Sequence, residues 1–170
     1  MNDIEAKIQL IDYHVHLSRY LSIEDAVANF KSKNMQFGIV EHPGRIANIV
    51  DDKTLLSYIQ NIHSFNAFAG LQPILPNWHE MFSSEAISKL DYVTMDALEI
   101  PDGKGSREKI WEQRFILYNK ATFMDRYIDF HMDVMENGKS DILANPTFLP
   151  ICLAPDYYRL WTDKRMNKII

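Results

Sequence analysis

Short apolar runs alternate with helical patterns along the chain, and this alternation is the main structural signal in the sequence. Five runs have the length and composition of buried strands. They cover residues 7–15, 35–40, 67–75, 91–100 and 141–148. Strands separated by helices cannot pair as hairpins, so they pair in parallel through right-handed crossovers. The pattern therefore predicts an α/β protein whose sheet is either open and doubly wound or curled into a barrel.

The segments between these runs carry apolar residues at helical spacing. Ser22 can cap a helix over 24–33, and a second helix fits 51–65, with Leu55, Leu56, Ile59 and Ile62 as its buried stripe. Three further helices are expected: a short one over 84–90, a long one that Thr122 caps and that ends near 137, and a last one from Pro155 to Ile170. Residues 101–107, with the sequence PDGKGSR, have turn composition and predict a loop.

Composition narrows the class of protein. The 170 residues are 46% hydrophobic and 24% charged, a balance typical of a soluble globular chain, and we expect one domain over 1–170. The net charge of -5, without a basic run, argues against binding to nucleic acid. Cys152 has no second cysteine to pair with, and the first residues lack a signal-peptide pattern, so we expect a cytoplasmic protein. No apolar stretch approaches the roughly 20 residues that span a bilayer.

Each predicted strand ends in a polar residue. In an open or closed parallel sheet the carboxyl ends of the strands lie at one rim, where ligands bind. Burying an unpartnered polar side chain costs about 1 to 3 kcal/mol, and a shared ligand would satisfy several of them together. The residues at these ends are His14 and His16, then Glu41 and His42, Gln72, Asp96 and Asn145.

Among these residues, His14, His16, His42 and Asp96 have the chemistry of a metal site. His14 and His16 are two apart on a strand, so both side chains point to one face, about 7 Å apart at the backbone. Imidazole and carboxylate together suit zinc, manganese or iron, and such an ion can activate water and polarise a phosphoryl or carbonyl oxygen. The plainer interpretation is that such a pair consists of ordinary structural histidines on a strand. We also expect the remaining histidines, which lie in predicted helices and loops, to have no role in a metal site.

Three motifs resemble the polymerase and histidinol phosphatase (PHP) superfamily. They are DYHVHL at 12–17, GIVEH at 38–42 and DILANP at 141–146, and the stretches DYVTMDAL and NPTFLP are similar to an uncharacterised bacterial branch of it. The resemblance implies an incomplete or distorted (β/α)7 barrel, a polynuclear metal centre and hydrolysis of phosphoesters.

The chain also departs from the family pattern. Gln72 stands where a Glu is usual, Asn145 where a His is common, and Asp96 replaces another frequent His, so the number of metals is left open. The family barrel has further strands, one with a late Asp-x-His pair, beyond the five counted here. Either the sequence is a truncated barrel, or copies of the chain cover the open strand edges in a homo-oligomer.

The leading interpretation is a metal-dependent hydrolase, a phosphoesterase for a small phosphorylated metabolite. His14, His16 and His42 would be ligands, Asp96 a fourth ligand or the base that orients water, and Arg45 a partner of the substrate phosphate. Gln72 and Asn145 would bind metal weakly or bind substrate, and His42 and Asp96 would be the catalytic pair. Two alternatives remain open: an amidohydrolase-like or TatD-like metal hydrolase, and a catalytically silent binding or assembly protein.

Overall fold

The computed structural model describes residues 9–112 and 119–169, which fall into two compact units. The first unit comprises the described residues up to Gln72, together with Met81–Tyr92. The second comprises Pro73–Glu80 and the described residues from Val93 onwards. Residues 7–8 of the predicted first strand and residue 170 of the predicted last helix lie outside the described residues. The assignment of one domain over 1–170 stays a prediction.

The first unit alternates strands with helices. Strands β1 (Ile11–Val15) and β2 (Gln36–Glu41) pair in parallel, and β2 pairs in parallel with β3 (Phe68–Leu71). Val40 is opposite Gly70 and Glu41 is opposite Leu71. The carboxyl ends of three neighbouring strands therefore lie side by side. The elements are β1 (Ile11–Val15), α1 (Ile23–Ser32), β2 (Gln36–Glu41), α2 (Asp52–Ser64), β3 (Phe68–Leu71) and α3 (Ser84–Ile87).

Local capping determines where the two longer helices of this unit begin. Ser22 accepts from the Asp25 N–H at the start of α1, and the Asp25 side chain accepts from the Ser22 N–H in return. Asp51 and Thr54 make the equivalent pair at α2. Both helices follow the predicted ranges to within two residues. The buried stripe of α2 is confirmed except at Leu56, which is 42% exposed.

The Tyr92 ring packs against the backbone of β2 and β3. A Cβ atom at Gly38 would lie 2.3 Å from the Tyr92 hydroxyl oxygen, and one at Gly70 would lie 2.4 Å from Tyr92 Cζ. The Tyr92 hydroxyl donates to the Tyr13 carbonyl oxygen at 2.9 Å. Glycine is required at both positions because the ring occupies the space of the missing side chains.

The second unit has shorter strands. β4 (Tyr92–Met95) pairs in parallel with β7 (Ile142–Leu143), with Thr94 opposite Ile142. β5 (Glu99–Pro101) pairs antiparallel with β6 (Arg107–Lys109). The first residue of β4, Tyr92, is assigned to the first unit, and the rest of the strand to the second. The elements are β4 (Tyr92–Met95), β5 (Glu99–Pro101), β6 (Arg107–Lys109), α4 (Lys120–Asn137), β7 (Ile142–Leu143), α5 (Tyr157–Leu160) and α6 (Asp163–Ile169), with 3₁₀ segments at Pro76–Met81 and Ile151–Asp156.

Several predicted elements of this part of the chain were wrong in extent. The run 91–100 is two strands, because the Leu98 N–H bonds back to the Asp96 carbonyl oxygen at 2.7 Å and turns the chain. Asn119, not Thr122, caps α4 and accepts from the Thr122 N–H. The last predicted helix breaks at Trp161, whose ψ of 69° is not helical.

The α/β class and the parallel pairing of strands joined through helices are confirmed. Strands β1, β2 and β3 alternate with α1 and α2, and α4 lies between β4 and β7 in the chain. Closure of the strands into a barrel stays a prediction. Within the described residues, no helix combines the length and apolar character needed to cross a lipid bilayer.

Candidate functional site

Three histidines and one glutamine lie at the carboxyl ends of β1, β2 and β3. His14 lies in β1 and His16 follows it, His42 follows β2, and Gln72 follows β3. We refer to His14, His16 and His42 as the histidine cluster. The parallel pairing of the three strands brings these residues to one edge, as the sequence predicts.

The three imidazole rings of the histidine cluster are neighbours. The ring centroids of His14 and His16 are 5.2 Å apart, with an angle of 61° between the ring planes. Those of His16 and His42 are 5.3 Å apart, and these two rings are stacked at 24°. The first distance agrees with the expectation that His14 and His16 share one face.

A bulge in β1 contributes to this arrangement. Asp12 pairs with Phe37 and Val15 with Ile39, so three steps along β1 oppose two along β2. The His14 N–H donates to the Asp12 carboxylate at 3.0 Å within this irregular stretch. Bulges redirect side chains at strand ends, and strict alternation of residues along a strand does not reveal them.

Gln72 binds two of the rings, through different atoms. Its side-chain oxygen Oε1 lies 3.2 Å from His14 Nε2, and its main-chain carbonyl oxygen lies 2.6 Å from His42 Nδ1. Amide and carbonyl oxygens only accept, so the imidazole nitrogen is the donor in each hydrogen bond. Gln72 is 2% exposed, and its N–H donates to the Glu41 carbonyl oxygen at 2.9 Å.

The histidine cluster is open to solvent on one side. His14 is exposed, His16 and His42 are half-buried, and Glu41 beside them is half-buried as well. Burial raises the pKa of the Glu41 carboxyl above its usual value, and the charge of neighbouring His42 acts in the opposite direction. A ligand from solution can therefore reach the rings, while Gln72, which contacts two of them, is buried.

The residue types fit a transition metal better than magnesium or calcium. Neutral imidazole is a common ligand of zinc, copper, iron and nickel, whereas magnesium and calcium take oxygen ligands. Within the described residues, no group of three or more His, Cys, Asp or Glu side chains is arranged to hold a metal ion. Metal binding by all three histidines would therefore require a change in the orientation of at least one ring.

Arg45 lies in the turn after β2. Gly44 and Ile49 close this turn with two main-chain hydrogen bonds, of 2.8 and 3.1 Å, and Gly44 adopts a φ of 135°. Arg45 is exposed. Its role as a partner of the substrate phosphate stays a prediction.

Asp96 and Asn145 belong to the second unit and form a pair there. Asn145 Nδ2 donates to Asp96 Oδ1 at 3.1 Å, and Asn145 has a φ of 52°, in the left-handed region. The Asp96 N–H donates to the Pro73 carbonyl oxygen at 2.9 Å. The predicted roles of Asp96 as ligand or base, and of Asn145 in substrate binding, stay predictions.

Two other histidines have partners that sequence reasoning missed. His63 Nε2 lies 2.8 Å from Asp91 Oδ2, and the same oxygen accepts from the Ala69 N–H at 2.7 Å. His131 is 7% exposed, and its Nδ1 donates to the Tyr127 carbonyl oxygen at 2.8 Å. The second contact has a sequence signal, because residues four apart in a helix bring a side chain onto the preceding turn.

Comparison of the chain with protein-family models, curated proteins and solved structures finds no significant match. The resemblance to the PHP superfamily therefore depends on its motifs alone.

Proposed function

We propose that the protein is a metal-dependent hydrolase that acts on phosphoesters of small metabolites. The observation that supports this proposal most directly is the histidine cluster: three imidazoles lie within 5.3 Å of a neighbouring ring at the carboxyl ends of adjacent parallel strands. Ligands of α/β proteins collect at this edge of the sheet. The PHP-like motifs, which include all three histidines, favour phosphoester chemistry over other hydrolysis.

The roles of the chain's own residues follow from their contacts. His14, His16 and His42 would hold the ion, and Gln72, with its oxygens on two of the rings, would orient them. A bound zinc, manganese or iron ion supplies Lewis acidity toward a phosphoryl oxygen. The Arg45 guanidinium is exposed, and its planar set of donors suits a phosphate group.

Metal content tests the proposal without knowledge of the substrate. We expect protein purified without added metal to contain at least one zinc, manganese or iron ion per chain by elemental analysis. The His42→Ala variant should lose this metal, together with any hydrolysis of p-nitrophenyl phosphate, while its circular dichroism spectrum stays the same. The physical reason is that removing an imidazole removes a ligand but leaves the buried core intact.

The matched control is His63→Gln, which alters an exposed histidine of the first unit outside the histidine cluster. This variant should retain the metal content of the unaltered chain. Equal metal in His42→Ala and His63→Gln, or no metal in the unaltered chain after incubation with zinc and manganese, would contradict the proposal.

A second candidate is a catalytically silent binding or assembly protein. The observation that favours it is that one ring nitrogen of His14 and one of His42 already form hydrogen bonds within the chain, to Gln72. Histidines that serve only to stabilise this edge should bind no metal, and their replacement should lower the unfolding temperature instead. The amidohydrolase-like alternative, the homo-oligomer and the cytoplasmic location stay predictions.

A further inference from the structure

We infer that Gln72 and Pro43 together hold His14 and His42 in opposite tautomers, with the proton on Nε2 of His14 and on Nδ1 of His42. The hydrogen bonds of 3.2 Å to the Gln72 side chain and 2.6 Å to its main chain carry this inference. Because both acceptors are oxygens without a proton, each fixes which nitrogen of the neutral ring bears the hydrogen.

The place of Pro43 follows from the parallel ladder of β2 and β3. Glu41 is opposite Leu71, so the next pair along the strands is His42 and Gln72. In a parallel ladder, Gln72 donates to the residue before its partner and accepts from the residue after it. The first bond is present, from the Gln72 N–H to the Glu41 carbonyl oxygen at 2.9 Å.

The second ladder bond cannot form, because the residue after His42 is Pro43, which has no N–H. The carbonyl oxygen of Gln72 is thereby left for another donor, and the His42 ring supplies one through Nδ1. Gln72 is 2% exposed, so water competes little for either of its oxygens. The His-Pro dipeptide at the end of β2 thus explains why the His42 side chain, and not a main-chain N–H, donates the second hydrogen bond of the ladder.

The tautomers determine which ring nitrogens have a lone pair available. These are Nδ1 of His14 and Nε2 of His42. If the proposed function holds, these two atoms are the ligating nitrogens of the histidine cluster, and Gln72 is a positioning residue that acts through both rings. Outer residues of this kind are known to contribute to metal affinity by fixing ring orientation.

Two variants should separate the two contacts. Gln72→Leu removes the side-chain oxygen but keeps the main-chain one, so His14 should lose its preference for the Nε2 proton while His42 keeps the proton on Nδ1. Pro43→Ala restores a main-chain N–H at the ladder position, so His42 should lose its preference while His14 is unchanged. Long-range ¹H–¹⁵N correlation spectra of the metal-free protein, recorded where the rings are neutral, report the protonated nitrogen of each ring.

Gln60→Leu, the same substitution on the exposed face of α2, is the control and should leave both tautomers unchanged. Metal titration provides the second measurement. Gln72→Leu should weaken zinc binding about 10- to 100-fold, and Gln60→Leu should not.

The outcomes distinguish the inference from the proposed function. Opposite tautomers that respond selectively to the two variants support the inference, even in a chain that binds no zinc, where only the proposed function fails. The same nitrogen protonated in both rings of the unaltered protein, or tautomers that neither variant changes, would overturn the inference even if zinc binds.

Discussion

The buried polar atoms of the two units differ in whether they have hydrogen-bond partners. In the first unit, the Tyr58 hydroxyl lies 2.9 Å from both the Ile39 and the Gly70 carbonyl oxygens, and Gln72 has partners for its side chain and its main chain. In the second, six buried side-chain atoms have no hydrogen-bond partner among the described residues. These atoms are His79 Nδ1, Thr94 Oγ1, Arg126 Nε, His131 Nε2, Ser140 Oγ and Trp161 Nε1.

This difference bears on both stability and function. A buried polar atom without a partner costs about 1 to 3 kcal/mol. Among the residues of the first unit that the structure describes, no buried side-chain nitrogen or oxygen lacks a hydrogen-bond partner. The strands that carry the histidine cluster therefore do not bear this cost. In the second unit, buried polar atoms without a hydrogen-bond partner lower the stability of the fold. Removing such an atom should therefore stabilise the chain.

The largest expected effect comes from the tight packing of the first unit. Gly38→Ala would put a Cβ atom 2.3 Å from the Tyr92 hydroxyl oxygen, and that hydroxyl is held by the Tyr13 carbonyl oxygen. We expect the free energy of unfolding, measured by urea denaturation, to fall by about 3 kcal/mol, because the ring cannot move without losing its hydrogen bond.

Gly103→Ala in the second unit is the matched control. Gly103 has a φ of 77°, and a Cβ atom there would have nothing within 4 Å. The cost should be only the backbone strain, about 1 kcal/mol. Equal losses in the two variants would show that the contact with Tyr92 does not limit the first unit.

A pair of hydroxyl deletions should change stability in opposite directions. Tyr58→Phe removes the hydroxyl that two carbonyl oxygens share, so we expect a loss of about 1 to 2 kcal/mol. Thr94→Val removes a hydroxyl without a partner at a site that is 1% exposed, so we expect a gain of up to about 1 kcal/mol. Thermal and urea unfolding measure both changes. A loss of stability in Thr94→Val would contradict the proposed difference in hydrogen bonding between the units.

The smallest expected effect is a dependence of stability on pH through His131. Burial lowers the pKa of this ring below its usual value of 6.5, against the opposing effects of the Tyr127 carbonyl group and the charge of Asp96. The unfolded chain therefore binds the proton first as the pH falls, and the stability present above pH 6.5 is lost below it. In His131→Gln, the slope of unfolding free energy against pH should flatten between about pH 5 and pH 7. An unchanged slope in this variant would assign the ionisation to another group.

Prediction from sequence succeeded where the signal is local. Ser22 caps α1 through a residue three positions away, as predicted, and the start of α2 was predicted to within one residue, since Asp51 caps the helix instead of beginning it. It failed at β4 and β5, because the apolar run 91–100 contains no Gly or Pro to mark the turn at Asp96. It also failed at the cap of α4, where Asn119 and Thr122 are both acceptable capping residues and only the path of the chain selects one.

The candidate site divides in the same way. The placement of His14, His16 and His42 at strand ends follows from the alternation of strands with helices, which is a property of the chain alone. The stacking of His16 on His42, the bulge in β1 and the two contacts of Gln72 depend on strand register. Register is a relation between strands whose paired residues here are 24 to 30 positions apart in the chain. The amino-acid sequence thus determined which residues reach this edge, and the tertiary structure decided how their rings face one another, because ring orientation depends on contacts between strands.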